Sequence, residues 1–314
     1  MSNTLDRFHI SATGLSINYM PEYLAVELGY FEQLGLKVTS YVPKPWTTVL
    51  TDIDSGQAEA VVGGIWCPLI YKHRAADYYA FAKVASRCPL ALLSHQPMEN
   101  FQWKDLEGKK VLTSGGNGAS PGLFLAGVAA EGGADVSKIH FIHDFTIAML
   151  QELFEGGFGD IIMMKADLAA QMEAKGKGFV VSDLTITGGP VPWSVYYATP
   201  ETLAREDNLC GRFTQGLQMA QTWLREHDGY DCRQILARNW PKVELDKAMA
   251  LVNEYRQQGM WPETVRIQEE ELNRWQKFLV EGHVIDGVIP YEEIVNPRPF
   301  RYAAEKLGLQ KRIG

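Results

Sequence analysis

The feature that most constrains this chain is alternation. Short apolar runs of strand length take turns with helix-length stretches until the last third. Residues 8–12 read as a strand, 21–31 as a helix, 37–42 as a second strand, 47–55 as a short helix and 58–65 (AEAVVGGI) as a buried strand. Pro21 suits a first helical position, and Leu24, Leu28 and Phe31 share one face of that helix. The pattern then recurs. A strand at 109–113 leads into a Gly-rich turn at 114–118 and a helix that opens at Ser120-Pro121 and closes at Gly132-Gly133. Strands at 140–143 and 160–164 flank a helix at 146–155, a further helix spans 166–175, and strands follow at 179–182 and 194–198. Strands and helices at this spacing predict right-handed crossovers and a parallel sheet. Residues 200–229, 232–240, 245–258 and 265–282 read as helices, with Leu272, Trp275 and Leu279 on one stripe of the last. The expected architecture is two α/β halves followed by a helical C-terminal region. Chain crossings are expected near 95–103 and in the Gly/Pro-rich stretch 188–192.

Composition removes several classes of function. Thirty basic against 38 acidic residues leave a net charge of -8, whereas a nucleic-acid binder carries a basic footprint. No run approaches the ~20 apolar residues of a membrane helix, so no membrane insertion is expected. The opening residues MSNTLDR have neither a basic n-region nor an apolar h-region. A cytoplasmic location is therefore expected, or a periplasmic one if a leader precedes this sequence. Cys67, Cys88, Cys210 and Cys232 fall in no metal-binding spacing and read as reduced, mostly buried thiols. No metal and no cofactor is expected.

In open α/β sheets, ligands sit outside the carboxyl ends of the strands, which selects a few loops. After the first strand, Gly14 permits close backbone approach, and Thr13, Ser16, Asn18 and Tyr19 supply polar groups. After the second, two prolines stiffen a loop whose Trp46 can wall a pocket. After the third, Gly63 and Gly64 bring the backbone near a ligand, with Trp66 beside them. Cys67, next in line, is a nucleophile only if its thiolate is stabilised. The loop Ser114-Gly115-Gly116-Asn117-Gly118-Ala119-Ser120 precedes a helix, where exposed amides and the positive helix end suit an anion. It matches neither a phosphate-binding P-loop nor a dinucleotide fingerprint. His143 with Asp144 can act as an acid/base pair, Lys165 can meet an anionic ligand, and Trp193 can stack on one from the second crossing. Each of these also has a plain structural reading: a solvated loop, a capped helix, a surface pair or a packed indole.

Four segments, taken in order, resemble one family. PEYLAVELGYFEQLGLKV (21–38) resembles a strand-loop-helix opening that ends in "GYFxxxGLxV". LTDIDSGQAEAVVGG (50–64), DLEGKKVLTSGGNGASPGLFL (105–125) and VIPYEEIVNPRPF (288–300) resemble later elements of the same pattern. The family is the SsuA/THI5-like, or NMT1-type, branch of type 2 periplasmic binding proteins. The resemblance implies a two-lobed α/β fold with a two-strand hinge and a ligand held in the inter-lobe cleft. It also implies a discontinuous first lobe, 1–94 and 195–314, around a second lobe, 95–194.

Three functions remain open. The first is binding of a small organic ligand, anionic or heteroaromatic, without chemistry, and with an ABC permease as partner if the protein is exported. The second is a cytosolic enzyme on the same scaffold, a lyase, a hydrolase or a thiamine-pyrimidine-related activity, using His143, Asp144 or Cys67. The family includes thiamine-pyrimidine synthases and a sulfinate-releasing desulfinase. The CCCFC motif of the former is absent here, and the first strand-end loop, 13–19, lacks the cysteine of the latter. The third is a cytosolic ligand sensor.

Overall fold

Among the described residues ten strands form two five-stranded sheets, most of them where apolar, β-rich runs are bounded by glycine or polar turns. The computed structural model describes residues 5–114 and 120–309. The first sheet contains β1 (Asp6–Ala12), β2 (Leu36–Tyr41), β3 (Ala60–Gly64), β4 (Tyr79–Ala85) and β10 (Ser194–Ala198), in the order β2-β1-β3-β10-β4. The second contains β5 (Leu90–Ser94), β6 (Lys110–Leu112), β7 (His140–Ile142), β8 (Ile161–Lys165) and β9 (Phe179–Asp183), in the order β7-β6-β8-β5-β9.

The two sheets share one plan. β1 pairs in parallel with β2 and β3, and β6 with β7 and β8. One strand in each sheet runs against its neighbours: β10 between β3 and β4, and β5 between β8 and β9. The all-parallel expectation is thus corrected to mixed sheets. A run such as SVYYA is apolar whichever way it points, so its composition carries no direction.

Two compact units follow. The first comprises residues 1–86, 192–272 and 289–314, and the second 87–191 and 273–288. Residues 87–94 and 273–288 group with the second unit. For 87–94 the reason is that β5 takes both its sheet partners, β8 and β9, from that unit.

In the first unit the core is aromatic. Phe213, on the long helix Leu209–Glu226, stacks on Phe8 at 4.3 Å and on Phe31 at 5.0 Å, with Tyr196 edge-on at 4.8 Å. In the second unit Leu93, Leu112, Leu150, Phe154, Ile162 and Met164 pack together, and Phe124, Trp275 and Phe278 meet edge to face. Among the described residues no helix is long and apolar enough to cross a membrane.

Backbone punctuation explains where helices depart from the periodicity. The helix expected over 21–31 breaks at Gly29, which is left-handed at φ +70°, into Met20–Glu27 and Tyr30–Gln33. The stretch 200–229 is interrupted where Asn208 takes φ +53°, ahead of Leu209–Glu226.

Gly229 tests close packing in this helical region. A Cβ there would lie 2.1 Å from the Met249 carbonyl oxygen, which is backbone and cannot swing aside. Gly229→Ala is expected to destabilise the first unit by about 1–3 kcal/mol in urea denaturation.

Candidate functional site

The carboxyl ends of β1 and β3 and the start of β10 meet at one edge of the first sheet, because Ser194 is in register with Gly64. From β1 the chain turns through residues 13–16 into the single turn Ile17–Tyr19 and then the helix Met20–Glu27, which has Pro21 in its first turn. This short path keeps Thr13, Asn18 and Tyr19 close together. Thr13 is tied to β3, with both its amide and its hydroxyl donating to the Val62 carbonyl at 3.1 and 3.3 Å. The buried Tyr19 phenol is hydrogen-bonded with the side chains of Thr13 and Ser194, and burial holds its pKa above the ordinary tyrosine value. The Asn18 amide donates to Ser194 Oγ at 3.5 Å, and the Trp261 indole donates to the Asn18 carbonyl at 2.9 Å.

Two glycines make this approach possible. A Cβ on Gly63 would sit 2.8 Å from Thr13 Cγ2, and one on Gly64 would sit 2.3 Å from the Trp66 ring. Trp66 opens the helix Trp66–Tyr71 and is half-buried, its ring lying over Gly64. Trp193 precedes β10 and is also half-buried. The result is a hydroxyl- and amide-bearing edge flanked by an indole.

Cys67 does not supply a nucleophile here. Its thiol is buried and hydrogen-bonded with Tyr197, and burial pushes it up to about 11, so it stays protonated near neutrality. The buried, protonated thiol is the one expected from the sequence, and burial works against the stabilised thiolate that a nucleophilic role would require.

The remaining candidates of the first unit sit more loosely. Ser16 is half-exposed, and its carbonyl accepts from the Tyr19 amide at 3.0 Å. Gly14 has open space where a side chain would go. Trp46 begins the single turn Trp46–Thr48 after β2 and is half-buried.

In the second unit, Ser114 is buried just past β6. His143, just past β7, is exposed, with Nδ1 3.5 Å from Thr113 Oγ1 and its ring stacked on Phe141. Those are its contacts among the described residues, and Asp144 is not one of them, so the acid/base pair is not assembled. Lys165 ends β8 and is exposed. Ser120 is the first residue of the helix Ser120–Glu131. Gly115, Asn117 and Gly118 lie outside the described residues.

Sequence reasoning does not single out Ser194 or Trp261. Ser194 reads as an ordinary strand start, and only the reversed direction of β10 brings it to the carboxyl ends of β1 and β3. Trp261 lies in a connection between helices and carries no local signal at all.

Comparison with known proteins follows the same lines. A family model described as NMT1/THI5 like matches residues 16–229. "Putative binding protein YtlA" of Bacillus subtilis (strain 168) is 24% identical over 313 residues, covering 98% of this chain and 92% of that protein. Among solved structures, the periplasmic sulfonate-binding protein SsuA from Methylobacillus flagellatus KT, described as part of a putative sulfonate ABC transporter, is similar at a TM-score of 0.73. It has 12% identity and covers 98% of this chain and 96% of that one. The periplasmic aliphatic sulphonate binding protein SsuA from Escherichia coli gives a TM-score of 0.68 at 16% identity, covering 94% and 92%. These likenesses establish the two-lobed α/β fold of periplasmic binding proteins.

Proposed function

The chain belongs to the NMT1/THI5-like family, and from that premise we propose that it binds a small organic molecule at the carboxyl edge of its first sheet, as the substrate-binding component of an ABC-type import system. The carrying observation is the cluster in which Tyr19 joins Thr13 to Ser194 while Gly63 and Gly64 admit Thr13 and Trp66. Such an edge can grip an organic body against an indole and orient it with short polar groups. Among the described residues of this edge, the one cysteine thiol, that of Cys67, stays protonated near neutrality. The sulfonates that the two SsuA neighbours are described as binding, and the anionic or heteroaromatic ligand expected from sequence, define the first compounds to try. On this reading the protein works outside the membrane its permease spans.

Thermal-shift measurements with taurine, benzenesulfonate, benzoate and neutral heteroaromatics test the reading. A bound compound at about a hundredfold its Kd should raise the melting temperature by roughly 5 °C, and it should be recovered unchanged after long incubation. Trp66→Ala is expected to weaken binding by roughly 30-fold or more, since an aromatic wall residue is worth about 2 kcal/mol, while the melting temperature of the ligand-free protein stays near the parent's. Undiminished binding by that variant would remove Trp66 from the site. A converted compound would replace binding by catalysis.

A further inference from the structure

Asn18 is 2% exposed, and its Oδ1 has no hydrogen-bond partner among the described residues. Two of its other polar groups are engaged: Nδ2 donates to Ser194 Oγ at 3.5 Å, and the backbone carbonyl accepts from Trp261 Nε1 at 2.9 Å. A buried acceptor without a donor is unfavourable, and native proteins rarely keep one without a use. This one lies one residue from Tyr19, within the Thr13–Tyr19–Ser194 cluster that the proposed function rests on.

We propose that Asn18 is a specificity-determining residue whose Oδ1 accepts a hydrogen bond from the ligand, so that the ligand of this protein carries an N–H or O–H donor in addition to any anionic group. The inference depends on the binding reading above. Its chemistry sets this chain apart from a receptor for bare oxyanions. A sulfonate or carboxylate group has only acceptors and cannot satisfy an amide oxygen. An amino or hydroxyl substituent can. The loop geometry holds the acceptor in place, because Ser194 and Trp261 fix the amide and the backbone of Asn18 from two sides. An acceptor held in this way discriminates strongly, since a congener without the donor leaves it unpaired in the complex as well.

The test compares benzenesulfonate with its ortho-, meta- and para-amino derivatives by calorimetric titration of the full chain. These compounds share the anion and the ring and differ only in whether, and where, a donor is present. At least one amino isomer should bind about tenfold more tightly than benzenesulfonate. In Asn18→Leu that preference should disappear, while the melting temperature of the ligand-free variant stays level or rises, because an unpaired polar atom has been replaced by an apolar one of similar size. Asn18→Ala is read in the same way and guards against a packing fault peculiar to leucine. Equal binding of all four compounds by the parent overturns the inference, as does a preference that survives both substitutions. A lower melting temperature in both ligand-free variants also overturns it, by assigning Asn18 a purely structural role. If no compound of any class stabilises the protein, the binding reading itself fails, which is a different outcome from binding without a donor preference.

Discussion

Glu271→Ala is expected to lower the unfolding free energy of the first unit by about 3–5 kcal/mol, because it strands a buried ammonium. Lys83 lies on β4 and its side chain is 1% exposed, while that of its partner Glu271 is 17% exposed. Lys83 Nζ donates directly to Glu271 Oε2 in the first turn of the helix Glu269–Glu281. The same lysine's amide donates to the Val265 carbonyl at 2.7 Å, so this part of β4 is joined to the segment leading into that helix. Removing one charge leaves the other desolvated. Replacing both with apolar residues, as in Lys83→Met with Glu271→Leu, should recover most of the loss, since the intact pair offsets little beyond its own desolvation. Chemical denaturation of the two single variants and the double variant forms a complete cycle. A single variant within about 1 kcal/mol of the parent would show that the pair is solvated in solution.

The pair was invisible in the sequence, and the reason is instructive. Tyr79–Ala85 (YAFAKVA) interleaves alanines and a lysine with its strand-forming residues, and Leu90–Ser94 (LALLS) lacks β-branched side chains, so neither run stands out as a strand. β1, β2, β3, β6 and β8 all lie close to where apolar periodicity places them. What periodicity cannot convey is direction. β5 and β10 run opposite to their neighbours, and only tertiary pairing decides that.

The candidate site divides along the same line. Thr13, Tyr19, Gly64 and Trp66 are legible because glycine and short polar residues follow strands, and the structure gathers them at one edge. The polar partners that complete this cluster come from far along the chain. Ser194 and Trp261 meet Asn18 across sequence separations of 176 and 243 residues. No local pattern encodes a contact at that range. Conversely, His143-Asp144 looks like chemistry in the sequence, but the strand end turns His143 toward Thr113, and among the described residues no hydrogen bond joins it to Asp144.

Glu22→Gln is expected to remove a pH dependence of stability that the parent carries between about pH 4.5 and 7. Glu22 sits on the helix Met20–Glu27 and is buried. Burial raises its pKa from the ordinary 4.5 to about 7, although hydrogen bonds from the Tyr196 and Ser40 hydroxyls pull it back. The Tyr196 hydroxyl donates to Glu22 Oε2 at 2.6 Å. The folded state therefore holds the proton more tightly than the unfolded state. Stability from this group is fully present below pH 4.5 and is lost as pH rises to about 7, with no further change above. The total is about 3 kcal/mol, at 1.36 kcal/mol per pH unit. Glutamine keeps the size and the acceptor for Tyr196 but cannot ionise. The difference in unfolding free energy between Glu22→Gln and the parent should thus be near zero at pH 4.5 and should grow to about 3 kcal/mol in favour of the variant by pH 8. Urea titrations at several pH values give that difference directly, and other titrating groups cancel because both proteins share them. A difference independent of pH would mean that Glu22 binds its proton equally well in the folded and unfolded states, so that it is ionised in the folded protein at neutral pH. The aromatic wall formed by Tyr196 and the Tyr19 beside it would then be packing around a carboxylate rather than a neutral acid.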